Sequence, residues 1–537
     1  MKKSFFIYLC ISVILTLFSC SNEFVPDILI ENKISTSEEI VLGEKRENPF
    51  SISKARSVDS TVVPNYIYLK IRTNIVENVE LIEAILGDLN TVPIDYEVIE
   101  GGCINTQNSG SDEFTPWFYS MTTIEKYNEV KDLGETEVID EMYISEEDFA
   151  KFTDIETENE KARLLWVNYK KVKPTGHVYF YDEVKDCYVP LKGVKVTVRQ
   201  WCHEKTVYTD ETGYYNIGEN FTTCWQNTAT VKVTFETKKD CIYPEWSLVK
   251  ATYNSGSKKV ADLKDNDIYL AKNTTQNNYG ILMNATKVYR DFAKADGVTE
   301  PENLKFWASS SVSGGVTLMR DVIIADSASV GAIIGTIVTP GLGTVLGTIT
   351  SAALGAYFPD IIVSTKKTNS SKTESITEIV FHEMAHASHY TGIGAGQITY
   401  WNLEYIKMLG GWIEVLCNDS SPMEDCYNGG KSKQVCFIES WGYFYGYYLM
   451  RKYYQNYSIY NYYERMLETS ENFLPYFYYD AFYDTSGIIS VKQIFEPYKY
   501  FSVQSIDSWF EKIKEKYSNK DLQEKIEKIF EQHGITL

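Results

Sequence analysis

No Cys-x-x-Cys pair occurs anywhere in the 537 residues, which argues against a zinc site built from closely spaced cysteines. Also missing are a glycine-rich phosphate-binding loop, a serine-hydrolase elbow and any internal repeat. These absences argue against P-loop nucleotide chemistry, serine acyl transfer on that scaffold and a solenoid. Positive charge is scarce: 52 Lys and Arg stand against 73 Asp and Glu, for a net charge of −21 and a pI near 4.9. A chain this acidic repels phosphate backbones, so no nucleic-acid partner is expected. The apolar run from Phe5 to Phe18 is shorter than the roughly 20 residues of a spanning helix.

What is present describes a folded, exported chain. Hydrophobic residues make up 44% and charged residues 23%, ordinary for a soluble fold and enough for several domains. Met1-Lys2-Lys3 followed by the apolar run reads as a secretory signal. Leu17-Phe18-Ser19-Cys20 resembles a bacterial lipobox. That resemblance implies lipid on Cys20, an anchor in a lipid bilayer, and a lipoprotein at the outer membrane or cell surface. Residues 21–63 are polar and lack periodicity, as in a tether. Eight cysteines remain after Cys10 and Cys20 are set aside, and an oxidising compartment permits disulfides. Proximity in the chain suggests Cys202 with Cys224 and Cys417 with Cys426, although sequence cannot fix connectivity.

The expected fold is multidomain α+β. A small N-terminal α/β region (64–167) has no assignable role, a β-sandwich follows (175–271), and a mainly helical C-terminal domain (273–537) holds the chemistry. Val194–Val198 and Val231–Phe235 alternate with the period of a strand, and Thr209–Tyr215 is a turn entering an aromatic strand. The stretch GVKVTVRQ…TVYTDETGYYNI resembles the carboxypeptidase-regulatory-like sandwich of exported bacterial proteins. The resemblance covers under a fifth of the chain and implies a spacer or binding module. His177 and His203 fall here and read as structural groups.

The C-terminal region contains Ser375-Ile-Thr-Glu-Ile-Val-Phe-His-Glu-Met-Ala-His-Ala-Ser-His-Tyr390. Ser375 and Glu378 suggest a capping box and Gly392 a stop, so the motif sits on a helix. His382 and His386, four residues apart, project from one face about 6 Å apart at Cβ, a spacing suited to Zn2+. Glu383 is offset by one residue, misses the metal and is placed to take a proton from water activated there. A histidine ten residues after His382 would mark a metzincin, but Gly392 occupies that position. His389 is read as a group behind the ligands, on the substrate side, or in plain packing.

Glu439 is the candidate third ligand. It lies in a second helical run, Val435–Met450, with Gly442 and Gly446 on its own face. Each glycine costs a helix about 1 kcal/mol against alanine, so their repetition suggests that another helix passes close by. A glutamate on a second helix after HExxH resembles the gluzincin arrangement of thermolysin-like peptidases. Glu439-Ser440-Trp441-Gly442 is similar to the glutamate motif of HExxH-bearing bacterial lipoproteins. The resemblance implies a zinc metallopeptidase acting on a protein or peptide. Two departures stand out: Tyr443 replaces the Asp that orients a ligand histidine in that family, and the gap between the motifs is longer. Tyr443 is a candidate donor to a developing oxyanion; Glu404 and Glu414 are weaker ligand candidates. The many tyrosines between Tyr443 and Tyr500 either fill a core or cover a half-wet groove.

Residues 327–359 form a charge-free, glycine-rich insert. It is read as a buried helical pair, a membrane-inserting hairpin or a flap over substrate. Tyr357–Ser364 reads as a strand whose edge could bind substrate backbone. Two rival functions remain at this stage. One is a non-catalytic surface lipoprotein that binds a glycan or protein; the other is a membrane-active protein working through the insert.

Overall fold

The computed structural model describes residues 39–73, 75–103, 116–146, 170–223, 227–245, 247–310, 314–317, 319–321, 359–366, 371–394, 433–455, 478 and 489–532. Cys20, Cys224, Cys417, Cys426, Glu404, Glu414 and nearly all of the apolar insert lie outside the described residues. Two compact units divide the chain, one of Pro26–Asn284 and one that holds Ala285–Leu537. No helix among the described residues is long and apolar enough to cross a membrane.

The first unit opens with a mixed α/β region. It contains β1 (Val41–Lys45), α1 (Ile52–Val58), β2 (Tyr66–Arg72), α2 (Val76–Leu86), β3 (Tyr96–Glu100), β4 (Phe118–Thr123), α3 (Ile124–Val130) and β5 (Glu135–Met142). β2 lies between β4 and β5. Its alternation sends Ile67, Leu69 and Ile71 to one face, where they pack with Val79, Ile82, Phe118 and Val130. The stretch expected to be a tether is folded from Ile40 onward. Ile40 and Phe50 are buried, and β1 pairs with β3. A five-residue strand and a two-turn helix are too short to show periodicity, so they and the buried Ile40 and Phe50 beside them became visible only in the fold.

The middle of this unit is the expected β-sandwich. After β6 (Lys171–Val172) come β7 (Thr175–Asp182), β8 (Cys187–Pro190), β9 (Lys195–Gln200), β10 (His203–Tyr208), β11 (Tyr214–Asn216), β12 (Phe221–Thr222), β13 (Thr228–Thr234), β14 (Cys241–Pro244), β15 (Thr252–Lys259) and β16 (Ile268–Leu270). One sheet runs β10-β9-β13-β15; the other has β7 at its centre, between β11 and β16, with β8 also pairing to β7. Val178, Phe180, Val196, Val198, Val231, Val233 and Leu270 are fully buried. The turn before β11 is held by Asp210, whose Oδ1 accepts from the N–H groups of Thr212 and Tyr214. Gly213 supplies the positive φ of 75° that the turn requires. His177 bonds Asp267 at 3.0 Å, and His203 is buried with its ring against Phe221.

The second unit is mainly helical. The unit boundary falls within α4 (Thr275–Asp296). Then follow β17 (Lys305–Ser309), β18 (Gly315–Thr317), β19 (Ile361–Ser364), α5 (Lys372–Ile393), α6 (Lys433–Tyr453), α7 (Val491–Phe495), α8 (Ile506–Lys516) and α9 (Lys520–Gln532). β19 is parallel to β17 and antiparallel to β18. The tyrosines described here are largely core: Tyr445, Tyr478 and Tyr498 are fully buried with Trp441 and Trp509.

Burial pushes the His203 imidazole down to about 4, against an ordinary value of 6.5. The unfolded chain therefore takes up the proton first, and stability falls as pH drops through 6.5, with the loss complete near 4. Unfolding by urea, compared for the wild type and His203→Gln, should show the wild type losing an extra ~3 kcal/mol across this window. Parallel pH profiles for the two proteins would refute the assignment.

Candidate metal centre

α5 begins one turn earlier than the sequence suggested. Ser371 is the N-cap and its hydroxyl accepts from the Glu374 N–H at 3.1 Å. Ser371-x-x-Glu374 repeats the Ser-x-x-Glu pattern four residues upstream of Ser375, so the local signal fits either turn. The helix also passes through Gly392 and ends at Gly394, whose φ of 70° suits a C-cap.

α6 crosses α5 at very close range. A Cβ on Gly442 would lie 2.6 Å from His386 Cε1 and 3.0 Å from His382 Cε1, and one on Gly446 would lie 3.1 Å from the His382 backbone. Only hydrogen fits at the first position. Trp441 fixes the register by donating its indole N–H to the Ala385 carbonyl at 3.0 Å, while its ring stacks on Tyr445. Tyr498, its ring 5.4 Å from that of Trp441, also braces α6 by donating to the Phe437 carbonyl at 3.1 Å.

This crossing brings three ligand atoms together. His382 Nε2 and His386 Nε2 are 3.0 Å apart, and Glu439 Oε2 is 3.3 Å from the first and 3.6 Å from the second. Zinc bonds of 2.0–2.1 Å in a tetrahedron imply ligand–ligand edges of about 3.3 Å. The triangle therefore fits such an ion, and the two imidazoles and the carboxylate are suitable donors. Both histidines are buried and Glu439 is nearly so.

Charge in the cluster is finely divided. Burial disfavours an ionised Glu439, yet His386 and His382 hold its carboxyl well below the usual range. Burial raises Glu383, partly offset by the two histidines and Thr317. For His386, burial is outweighed by Glu439 and Glu383, and the net shift is upward.

Glu383 is held by a residue that the sequence reading missed. Thr317 Oγ1 lies 2.8 Å from both the main-chain oxygen and Oε2 of Glu383. β18 carries Thr317 flat against α5, because a Cβ on Gly315 would lie 2.6 Å from Glu383 Cγ. No spacing rule connects a threonine to a glutamate 66 residues later. The strand-edge expectation is corrected at the same place: β19 does form, but among the described strands it is interior to the sheet and β18 lies at an edge.

Two further candidates are placed differently. The Tyr443 ring lies 4.4 Å from that of His382. His389 is outside the ligand triangle and fully buried, edge-on to Tyr498 at 4.9 Å. Burial and the nearby His386 lower it to about 3, so it is neutral. His386 Nδ1 has no hydrogen-bond partner among the described residues.

In ligand set and spacing the cluster is consistent with a zincin-type active site. Comparison with known proteins finds no match to a family model, a curated protein or a solved structure. The assignment therefore rests on the geometry of these residues.

Gly442→Ala should weaken zinc binding by at least tenfold, because its methyl group occupies the space of the ligand imidazoles. Gly446→Ala, which meets only tight backbone contact, should cost less. Zinc titration of both variants against a competing chelator checks the order; equal, unchanged affinities would refute the close crossing.

Proposed function

We propose that this protein is a zinc-dependent peptidase held at a bacterial membrane by lipid on Cys20. The observation that carries the catalytic part is the triangle of His382, His386 and Glu439 beside a buried Glu383 that is not one of its corners. Zinc bound there would acidify a water and polarise the carbonyl of the bond to be cut. Glu383 accepts the proton of that water, and its raised proton affinity suits both taking the proton and passing it to the leaving amine. Thr317 restrains the carboxylate through its 2.8 Å hydrogen bond to Oε2. Tyr443, beside His382, is the candidate donor to the carbonyl oxygen as charge develops. β18 ends its sheet among the described strands, and an extended peptide would add there as a further strand.

The lipobox-like Leu17–Cys20 and the apolar run before it support export and anchoring at the outer membrane or cell surface. In this reading the carboxypeptidase-regulatory-like sandwich is a spacer or binding module. One observation favours a second function for it. Tyr179 and Tyr269 stack at 5.1 Å, with His177 against Tyr179 and Tyr188 edge-on to Tyr269, and Tyr269 is 50% exposed. Such a row could stack against sugar rings, the glycan-binding alternative.

Metal analysis with peptide-library hydrolysis tests the main reading. The purified chain should hold about one zinc, lost in His382→Ala. Glu383→Gln should keep the metal and lose hydrolysis by a factor of 10² or more. A metal-free wild type after reconstitution, or hydrolysis surviving in both variants, would sink it. Thr317→Val should lower kcat about tenfold with zinc content unchanged, since it frees the Glu383 carboxylate without touching a ligand. Thr317→Ser, which keeps the hydroxyl, should restore most of the rate.

A further inference from the structure

The first unit contains a second constellation, independent of the metal centre. On β13, Val231 and Val233 point into the sandwich, so Thr230 and Lys232 take the opposite face. On β9, Thr197 and Arg199 do the same opposite Val196 and Val198. Residues from Asn90 to Val98 cover this face incompletely and leave a small open cleft.

The lining of the cleft is unusual for so acidic a chain. Among the described residues it includes Arg46, Arg199 and Lys232 and no carboxylate. Arg46 is tied to Ser257 at 3.2 Å and lies 3.7 Å from Glu97; Arg199 pairs with Glu204. Lys232 differs from both. It is 8% exposed, and its Nζ is buried with no hydrogen-bond partner among the described residues.

An ammonium group has three donors, and burying it with none engaged is costly. Burial and Arg199 disfavour its charge, and so does Lys195, while Glu204 and Asp88 favour it. Its neighbours on the same face of β13, Thr230 and Thr234, carry short side chains instead. A lysine at such a position makes physical sense if something enters the cleft and accepts its hydrogen bonds. Asn90, Asn254 and Trp201 also line the cleft and give a ligand polar and aromatic walls.

We propose that this cleft binds a small oxyanionic group, a carboxylate or a tetrahedral sulfate or phosphate, which accepts from Lys232 and is flanked by Arg199 and Arg46. The group could belong to an acidic peptide, an acidic sugar or a free ion; the shared chemistry is one anion on a buried ammonium.

Calorimetric titration of the full chain with acetate, sulfate and inorganic phosphate, at constant ionic strength, tests this. Glycerol serves as the neutral control. At least one anion should bind saturably, near one per chain, and Lys232→Met should weaken it tenfold or more. Preference for acetate would point to carboxylate ligands, and preference for sulfate or phosphate to tetrahedral ones. Without anion, Lys232→Met should be at least as stable as the wild type, because it removes a buried charge lacking hydrogen bonds. Should that variant fail to fold, Arg199→Gln should weaken the same anion severalfold. The proposal is overturned if no anion binds saturably, if Lys232→Met binds as well as the wild type, or, should Lys232→Met not fold, if Arg199→Gln binds as well as the wild type.

Discussion

The second unit depends on how closely α6 lies against α5. Gly442 and Gly446 remove the side chains that would hold the helices apart, so the α6 backbone rests almost on the imidazoles of His382 and His386. That distance lets Glu439, one turn before Gly442, place a carboxylate oxygen between two histidine nitrogens. A wider crossing would leave the glutamate short of the cluster. Trp441 spans the interface with a hydrogen bond, Tyr445 stacks on it and Tyr498 packs against it at a tilt. The glycines reduce the intrinsic helicity of α6, and burial of this aromatic group offsets that cost.

The same packing separates the roles of two glutamates. Glu439 faces both histidines and is held ionised, as a metal ligand must be. Glu383 is one residue round the helix, more deeply buried and bonded to Thr317, and its proton affinity rises. Two carboxylates with opposite shifts, a few residues apart in space, are the usual basis for dividing structural from acid–base work. The edge strand β18 contributes to this division, since Thr317 reaches Glu383 only because Gly315 allows the strand to lie against α5.

Much of the site could be read from the chain because its signals are local. Four residues between histidines place them on one helical face, and a glutamate with glycines three and seven positions later marks a helix with a close neighbour. The β-sandwich was legible for the same reason, through period-two alternation in β9 and β13. Local signals failed where they were duplicated or too short. Two Ser-x-x-Glu patterns sit one turn apart, and only packing chose Ser371 over Ser375 as the cap. β1 and α1 are too brief to announce themselves, and Ile40 and Phe50 became core only through distant partners.

The sequence by itself determined the residue types of the cluster and their helical spacing. These follow from covalent order and the 3.6-residue turn. Three of the six histidines fall within one short segment, His382 to His389, yet only the tertiary structure sorted them. His382 and His386 meet Glu439, whereas His389 turns under Tyr498 and stays neutral. Tertiary structure alone also supplied Thr317, put β18 rather than β19 at the sheet edge, and left Lys232 buried above a cleft. Each of these depends on segments far apart in the chain, and the distances between them are set by packing rather than by residue order.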